Sequence, residues 1–393
     1  MHPNVPHLRF PEFHGEWEKH GLSEYLDFKN GLNPDSKRFG KGIKFISVMD
    51  ILNNPVITYD CIRASVQATD AEISSFSVEN GDILFQRSSE TLEDVGRANV
   101  YIDDKVAVFG GFVIRGKKKA NYNPLFFRYL LSSPYARKRI IPMGAGAQHF
   151  NIGQEGLSKV LLNFPSIEEQ TKIASLLHLL DERIATQSKL IEDLKKLKSA
   201  IIEMEYSHMT KNISHIGDFI EQTSKRNKDK TIHNVLSVNN RQGFIQQSEQ
   251  FENRNVASDD TSNYKIVEKD DFAFNPARIN VGSIARLTLF ERGIVSPMYI
   301  CFRTRDGLLP EYLDYYFESK PFFTEIQKRL EGSVRQCLSF DGLCNIPFCV
   351  PSVEIQWQIG KRLSTLVQEI KLEIDFLELL QKQKKILLYQ MFI

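Results

Sequence analysis

One stretch of this chain occurs twice. FPSIEEQTKI begins at Phe164 and VPSVEIQWQI begins at Val350, and Pro, Ser, Glu, Gln and the final Ile match in place across an offset of 186 residues. A repeat with so long a period indicates that each copy belongs to one structural unit. Because 393 residues are also too many for one ordinary core, the sequence predicts a duplicated architecture with at least two domains.

The apolar pattern that follows the repeated stretch is preserved as well. Seven apolar residues from Ile173 to Ile201 stay apolar 186 residues later, and both polar interruptions are shared, with Gln187 matched by Glu373 and Lys198 by Lys384. The spacing alternates four and three residues, which is the heptad pattern of a coiled coil. The predicted helix-pairing residues are Ile173, Leu177, Leu180, Ile184, Ile191 and Leu194 in the first copy, and Ile359, Leu363, Leu366, Ile370, Leu377 and Leu380 in the second.

Each copy is therefore predicted to form a helix of roughly 35 residues, or about 50 Å at a rise of 1.5 Å per residue. Pro-Ser precedes each helix, and Ser166 with Glu169 fits the pattern of a full capping box. A long helix with one narrow apolar stripe needs a partner, and the simplest partner is its own repeat. The alternative is that two unrelated surface helices pack on separate domains.

A longer module precedes each helix, and the two modules also align. Gly81-Asp82-Ile83-Leu84-Phe85 is matched by Asp270-Asp271-Phe272-Ala273-Phe274, and Val95-Gly96 is matched by Val281-Gly282. The modules have diverged far more than the helices. This contrast predicts that the helices serve a shared purpose while the two modules differ in what they recognise.

Each module is predicted to be an α+β head. β-branched and aromatic residues at 83–85, 106–114 and 294–302 favour strands. PLFFRYLLSS and PEYLDYYFES, which begin at Pro124 and Pro310, favour helices with proline at the first position. The predicted order is α+β head, long helix, α+β head, long helix.

Composition narrows the setting but not the function. The five cysteines (Cys61, Cys301, Cys337, Cys344 and Cys349) form no CxxC pair, so we expect reduced thiols in a cytoplasmic protein, and the spacing of the last three does not fit a zinc site. No apolar run reaches about 18 residues, so no membrane span is expected. The net charge of +1 neither supports nor excludes nucleic acid, which means that any DNA contact must come from local basic clusters.

Enzyme motifs are present only as incomplete matches. An adenine methyltransferase needs Asn-Pro-Pro-aromatic, whereas Asn123-Pro124-Leu125-Phe126 lacks the second proline and Asn275-Pro276-Ala277-Arg278 lacks the aromatic residue on which a flipped base would stack. The stretch from Gly111 to Lys118 fits a phosphate-binding loop until Lys118 takes the place of the magnesium-binding Ser or Thr. We therefore expect no catalytic residues in this chain.

Four segments in order resemble the specificity subunits of type I restriction-modification systems. They are the opening PHLRFPEFHGEWEKHGLSEYL (6–26), Gly81-Asp82-Ile83-Leu84 with the turn at Val95-Gly96, Asn123-Pro124 followed by Phe-Arg-Tyr-Leu-Leu, and PSIEEQTKIA at 165–174. The resemblance covers the whole chain. It implies target recognition domains at 1–163 and 207–349, a central conserved helix at 164–206 and a C-terminal conserved helix at 350–393.

The resemblance also implies an α+β, pseudo-twofold fold in which the two helices form an antiparallel coiled coil and set the length of an unrecognised DNA spacer. Each target recognition domain would bind half of a split double-stranded DNA site. The implied partners are two modification subunits, which carry S-adenosylmethionine and methylate adenine, and restriction subunits with motor and nuclease activity. This chain itself is expected to bind no cofactor and no metal.

Candidate DNA-binding residues are basic or amide side chains on loops, because Arg fits guanine, Asn or Gln fits adenine, and Lys or Arg neutralises phosphates. In the first head they are Lys37, Arg38, Lys41, Arg87, Ser88, Ser89, Arg97, Gln148, His149 and Asn151, and in the second Lys225, Arg226, Arg278, Asn280, Arg335 and Gln336. The alternative for each residue is a polar loop that only caps strands. The alternative for the whole chain is a coiled-coil scaffold that binds proteins and not DNA.

Overall fold

A computed structural model describes residues 4–207, 214–240, 242–247, 260–332 and 336–393. Contacts divide the chain into two compact units, the first made of Met1–Lys189 with Asp375–Ile393 and the second of Leu190–Ile374. We call the part before the first long helix the first head and the part between the two long helices the second head. Across the described ranges, every helix is too short or too polar to cross a lipid bilayer.

The first head combines twelve short strands with six short helices among the described residues. The strands are β1 Glu18–Gly21, β2 Leu26–Asn30, β3 Phe39–Ile46, β4 Ser65–Val66, β5 Ser77–Val78, β6 Ile83–Gln86, β7 Ser88–Ser89, β8 Ala98–Val100, β9 Ala107–Phe109, β10 Val113–Lys118, β11 Phe150–Asn151 and β12 Leu161–Phe164. The helices are α1 Leu22–Tyr25, α2 Val48–Asn53, α3 Asp70–Phe76, α4 Pro124–Ser132, α5 Pro134–Ile140 and α6 Gln154–Ser158. The long central helix α7, Ile167–Ser207, follows.

The second head repeats this plan with fewer elements in its described part. Its strands are β13 Ser214–His215, β14 Ile220–Thr223, β15 Val235–Asn239, β16 Gly243–Gln246, β17 Lys265–Glu268, β18 Phe272–Phe274, β19 Ile284–Arg286, β20 Arg292–Val295, β21 Ile300–Thr304 and β22 Pro347–Phe348. Its helices are α8 Pro310–Tyr316, α9 Lys320–Gln327 and α10 Phe340–Cys344, and the long C-terminal helix α11, Val353–Gln390, follows. The predicted α+β heads and long helices are confirmed.

The sheets of the two heads correspond strand for strand. In the first head the sheet orders are β1-β12, β2-β10-β6-β8 and β4-β3-β9-β5, and in the second head they are β13-β22, β14-β21-β18-β19 and β16-β15-β20-β17. Even the parallel pair inside a mostly antiparallel sheet recurs, as β3 with β9 and as β15 with β20. The pair β7-β11 is an addition to the first head among the described residues.

Backbone conformation is also repeated where the sequences differ. Gly81 has φ +92°, and Asp270, which the alignment places opposite it, adopts φ +69°. Asp tolerates this left-handed conformation better than most residues, which explains why the turn survives without glycine. Gly96 and Gly282 share a positive φ in the same way, at +68° and +88°.

The long helices extend further than the predicted 35 residues, to 41 and 38 residues. Ser166 Oγ accepts a hydrogen bond from Glu169 N (3.4 Å), but the predicted capping box is wrong in its second half. The carboxylate of Glu169 instead accepts two bonds of 2.8 Å from the guanidinium of Arg9 and one of 3.3 Å from Trp17 Nε1. A buried ion pair with the N-terminal segment has displaced a local cap.

In the first unit, the beginning of the central helix packs against the end of the C-terminal helix. Ile173 and Leu177 share a buried core with Met391 and Phe392, and the ring of Phe392 lies against that of Trp17, with 6.3 Å between their centres. Lys384 Nζ lies 2.5 Å from Asp181 Oδ1. In this unit the two helices therefore run antiparallel.

The second unit shows the same pairing with the helices exchanged. Ile202 and Tyr206, near the end of the central helix, share a core with Ile359 and Leu363, near the beginning of the C-terminal helix. Tyr206 Oη donates to the carbonyl of Tyr312 at 2.6 Å. The long helices thus form an antiparallel pair, as the resemblance implied.

Candidate DNA-recognition surfaces

The helix-pairing residues are mostly buried. Those that are buried are Ile173, Leu177, Leu180, Ile191, Ile359, Leu363, Ile370 and Leu380, whereas Ile184, Leu194, Leu366 and Leu377 are half-buried. Polar interruptions in the stripe have partners of their own. Lys384 lies over the ring of Tyr129 in the first unit, and its repeat mate Lys198 lies over Tyr315 in the second.

In the first head, two predicted DNA-binding loops form one surface. Strand β6 is buried and leads directly into Arg87, Ser88 and Ser89, and β7 pairs with β11 so that Ser88 lies opposite Asn151. Ser88 Oγ donates to Asn151 Oδ1, and Ile152 N donates to the carbonyl of Arg87 at 3.0 Å. This side-chain bond and this main-chain bond hold the loop after β6 against the glycine-rich loop at 144–151.

The glycine-rich loop presents polar side chains to solvent. Gln148, His149 and Asn151 are exposed, and Ala145 and Asn151 exchange two backbone hydrogen bonds of 2.9 Å. Gly146 has φ +148°, and a Cβ there would lie 1.9 Å from the carbonyl oxygen of His149, so only glycine fits this turn. The loop therefore has a fixed base and an exposed tip.

Two candidate arginines of the first head differ in solvent exposure and in the groups that they contact. Arg87 is half-buried and donates from Nη1 to the carbonyl of Gly111 at 3.2 Å, whereas the exposed Arg97 forms an ion pair of 2.6 Å with Asp94. A third, Arg137, is structural: Nη2 donates at 2.7 Å to the carbonyls of Glu93 and Val95, and burial lowers its pKa to about 10.

The basic cluster near the start of the first head is only partly available to DNA. Lys37 and Lys41 are exposed. Arg38 is not free, because its guanidinium pairs with both carboxylate oxygens of Glu72 and its Nε donates to the carbonyl of Gln67 at 2.8 Å. Bonding to Arg38 lowers the pKa of Glu72 to about 2. Ser89 is also removed from the surface, since it is buried and its Oγ accepts from Thr91 N.

The second head brings together the loop after β18, which carries Arg278 and Asn280, and the loop before α10, which carries Gln336. Leu338 N donates to the carbonyl of Pro276 at 3.0 Å, and Glu331 and Cys337 exchange backbone hydrogen bonds of 2.9 and 2.8 Å. Arg278 and Asn280 are exposed on the first loop, and Gln336 is exposed on the second. Arg335 lies outside the described residues.

Lys225 and Arg226 lie beside β17. Ile266 N donates to the carbonyl of Lys225 at 2.8 Å, and Arg226 Nη1 donates to Asn263 Oδ1 at 2.9 Å. Both side chains are exposed, next to the fully buried Asn227. They remain candidates for phosphate contact at the edge of a sheet.

Among the described residues, no group of three or more His, Cys, Asp or Glu side chains could hold a metal ion.

Sequence comparisons identify known proteins that are similar to this chain. Residues 14–196 match the family model for the type I restriction modification DNA specificity domain. Over 413 aligned residues, the chain is 23% identical to a Methanocaldococcus jannaschii protein named for the specificity subunit of the type I restriction enzyme MjaX, with 97% of this chain and 94% of that protein covered. The first head and most of the central helix therefore match the DNA specificity domain of type I restriction-modification systems, and the whole chain is similar in sequence to a specificity subunit of such a system.

Solved structures share the fold. A type I restriction-modification S subunit from M. genitalium superimposes with a TM-score of 0.59 at 16% identity, over 99% of both chains. A chain from a structure concerned with complex assembly and conformational transition of the type I R-M system gives 0.56 at 14% identity, over 95% of this chain and 96% of that one. The similarity extends over both heads and both long helices.

Proposed function

We propose that this chain recognises a split double-stranded DNA site, with one half contacted by each head, and directs methyltransferase and restriction subunits to it. One observation carries the proposal. In both heads the loop that follows a buried central strand, at Arg87 or at Pro276, accepts a backbone bond from the end of a second polar loop, at Ile152 or at Leu338. Two equivalent surfaces with different side chains suit two different half-sites.

The side chains of these surfaces fit the chemistry of DNA. Arg87, Arg97 and Arg278 supply cations, and Asn151, Asn280 and Gln336 supply amides that can both donate and accept. Cations position the protein on phosphates, and amides and guanidinium groups distinguish base edges. A coiled-coil scaffold without DNA recognition would need neither set, and the family match disfavours that alternative.

The long helices carry surfaces suited to protein partners. Leu190, Leu197 and Met204 are exposed at intervals of seven residues on the central helix, and Leu372, Leu379 and Ile386 are exposed at the same interval on the C-terminal helix. A single exposed leucine means little, but a regular exposed stripe on a helix whose buried stripe is already paired offers a second contact surface. We infer that modification subunits bind along these stripes and that restriction subunits join the resulting complex in the cytoplasm.

We also propose that the chain binds no cofactor and does no chemistry, with S-adenosylmethionine bound by the modification subunits. Both incomplete methyltransferase motifs have structural roles. Asn123 Oδ1 accepts from Phe126 N at 3.0 Å as the cap of α4, and Asn275 Oδ1 accepts from Ala277 N at 3.1 Å within a turn. The stretch that approximates a phosphate-binding loop forms strand β10 over its last six residues.

Genome-wide mapping of methylated adenines tests the proposal. Deleting this chain should abolish methylation at one bipartite motif, and complementation with the wild-type chain should restore it. Arg87→Ala should restore it poorly, whereas Lys105→Ala, an exposed lysine paired with Asp60, should restore it fully. Survival of every methylated motif after deletion would contradict the proposal.

A further inference from the structure

A tight turn occurs at the same place in both heads and carries an exposed apolar side chain. Val113 N donates to the carbonyl of Gly110 at 2.9 Å, and Tyr299 N donates to the carbonyl of Ser296 at 3.1 Å. The third residue of the turn is Phe112 in the first head, 69% exposed, and Met298 in the second, 57% exposed. The offset between the two turns is again 186 residues, so the exposed position has been kept while its side chain has changed.

The turn of the first head is firmly held. A Cβ at Gly110 would lie 2.6 Å from the ring of Phe45, so the first residue of this turn packs closely against a buried ring. Arg87 N donates to the carbonyl of Phe112 at 2.9 Å. Because Arg87 also belongs to the DNA-recognition surface, Phe112 lies at its border on a rigid support.

Each exposed side chain lines a cleft in its own head. The first cleft, of about 420 Å³, is mostly apolar and includes Phe39 and Met49 beside Phe112. The second, of about 470 Å³, places Met298 among amide and hydroxyl groups and beside Arg278. Among the described lining residues neither cleft has an Asp or Glu, so both surfaces admit an electronegative partner.

We propose that Phe112 and Met298 are specificity-determining residues through which each head makes apolar contact with the nucleobases of its half-site. The inference rests on the proposed function, and the arginines Arg87 and Arg278 near these clefts favour a polyanion such as DNA as the ligand. An apolar side chain on a rigid turn can pack against a base face at an opened step or against the C5-methyl group of thymine. Either contact removes apolar surface from water without neutralising a phosphate.

Apolar contacts and phosphate contacts depend differently on salt concentration, so binding experiments can distinguish the roles of Phe112 and Met298 from those of the arginines. In a complex of the full chain with its modification subunits, Phe112→Ala should weaken binding about tenfold, the equivalent of a base contact of about 1.4 kcal/mol. The probe is a duplex carrying the motif that methylation mapping assigns to the wild-type complex. The slope of log K against log salt should not change for Phe112→Ala or Met298→Ala, whereas Arg87→Gln should reduce the slope by about one.

Matched controls are available in each head. Val106→Ala and Leu289→Ala remove exposed apolar side chains that line neither cleft, and they should leave affinity unchanged. Scrambling one half-site should abolish the effect of Phe112→Ala, and scrambling the other should abolish that of Met298→Ala. Because both side chains are exposed, melting temperatures should match that of the wild type.

A uracil-for-thymine duplex identifies the contacted group. If Phe112 contacts the thymine methyl group, the wild-type complex should bind the uracil duplex as weakly as the Phe112→Ala complex binds the thymine duplex. If Phe112 contacts a base face, the wild-type complex should still bind the uracil duplex about tenfold more tightly than the Phe112→Ala complex does. Either result supports the proposal. Wild-type affinity of both alanine variants, with specific binding by the wild type, would overturn it and leave the proposed function intact. Equal affinity of the wild-type complex for the motif and a scrambled duplex would instead overturn the proposed function.

Discussion

Gln170 Oε1 accepts a hydrogen bond from the backbone N–H of Asn123 at 3.1 Å. The repeat mate Gln356 makes the equivalent bond to Leu309 N at 2.8 Å. Each amide also donates to the carbonyl of the proline that precedes its helix, Pro165 at 3.0 Å and Pro351 at 2.8 Å. Both glutamines are buried, at 3% and 0% exposure, and each links the start of a long helix to the start of a short helix in the preceding head.

Removing either glutamine should therefore leave buried backbone groups unpaired. We expect Gln170→Ala and Gln356→Ala to lower the free energy of unfolding by about 1–3 kcal/mol each. Chemical denaturation monitored by circular dichroism measures the change, and Gln358→Ala, at an exposed position on the C-terminal helix, is the control. A loss no larger than that of the control would show that these bonds do not stabilise the fold.

Adjacent leucines on the central helix should respond very differently to a charge. Leu180 is 9% exposed in the helix seam, whereas Leu179 is 64% exposed. Leu180→Asp should cost about 3 kcal/mol or more, because an unpaired carboxylate would be buried near Asp181. Leu179→Asp should change thermal melting of the isolated chain very little. Equal melting of the two variants would mean that the seam is not closed in solution.

Protonation of Asp314 should stabilise the second unit. Burial raises the pKa of this carboxyl to about 6, although Arg286 Nε lies 3.2 Å from its Oδ2 and opposes the shift. The folded state then binds a proton more tightly than the unfolded state, whose carboxyl has a pKa of about 3.9. Stability gained from this group is therefore greatest below about pH 4 and is lost as pH rises through 6.

Asp314→Asn tests that assignment. The difference in unfolding free energy between variant and wild type should depend on pH between 4 and 7, with the wild type losing more stability as pH increases. Urea titrations at several pH values within that interval measure it. A difference independent of pH would mean that Asp314 does not titrate there in the folded chain.

Exchanging the first head should alter half of the DNA site. Replacing residues 1–163 with the equivalent head of a relative keeps both long helices and the second head, so only one recognition surface changes. Methylation mapping of a strain carrying the chimera should yield a motif with one new half and one original half. Simultaneous change of both halves would be inconsistent with independent heads.

Much of this fold was accessible from the repeat alone. The heptad stripe predicted the buried positions from Ile173 to Leu380, because helix periodicity and burial are coupled locally. The loops that carry Arg87 and Gln148 were recognisable from their polar residues, but the backbone bond that joins these loops was not. A sequence pattern is informative when the structural property depends on residues that are close together in the sequence.

Long-range partners were not accessible in the same way. The carboxylate of Glu169 contacts Arg9, 160 residues away, and Arg38 pairs with Glu72 across the first head. Neither partner is specified by spacing, since the tertiary fold alone brings them together. The exposure of Phe112 was not predictable either. In this case the local pattern is misleading, because an apolar residue between two strand segments is normally expected in the core.

The burial of Phe392 has a consequence for biosynthesis. The second unit is one continuous stretch, Leu190–Ile374, whereas the first requires residues 375–393 to cover Trp17 and Phe126. A nascent chain emerges from the ribosome N-terminus first. The head that is translated first therefore stays incomplete throughout elongation, with part of its aromatic core uncovered, and it closes only after the other head has been made.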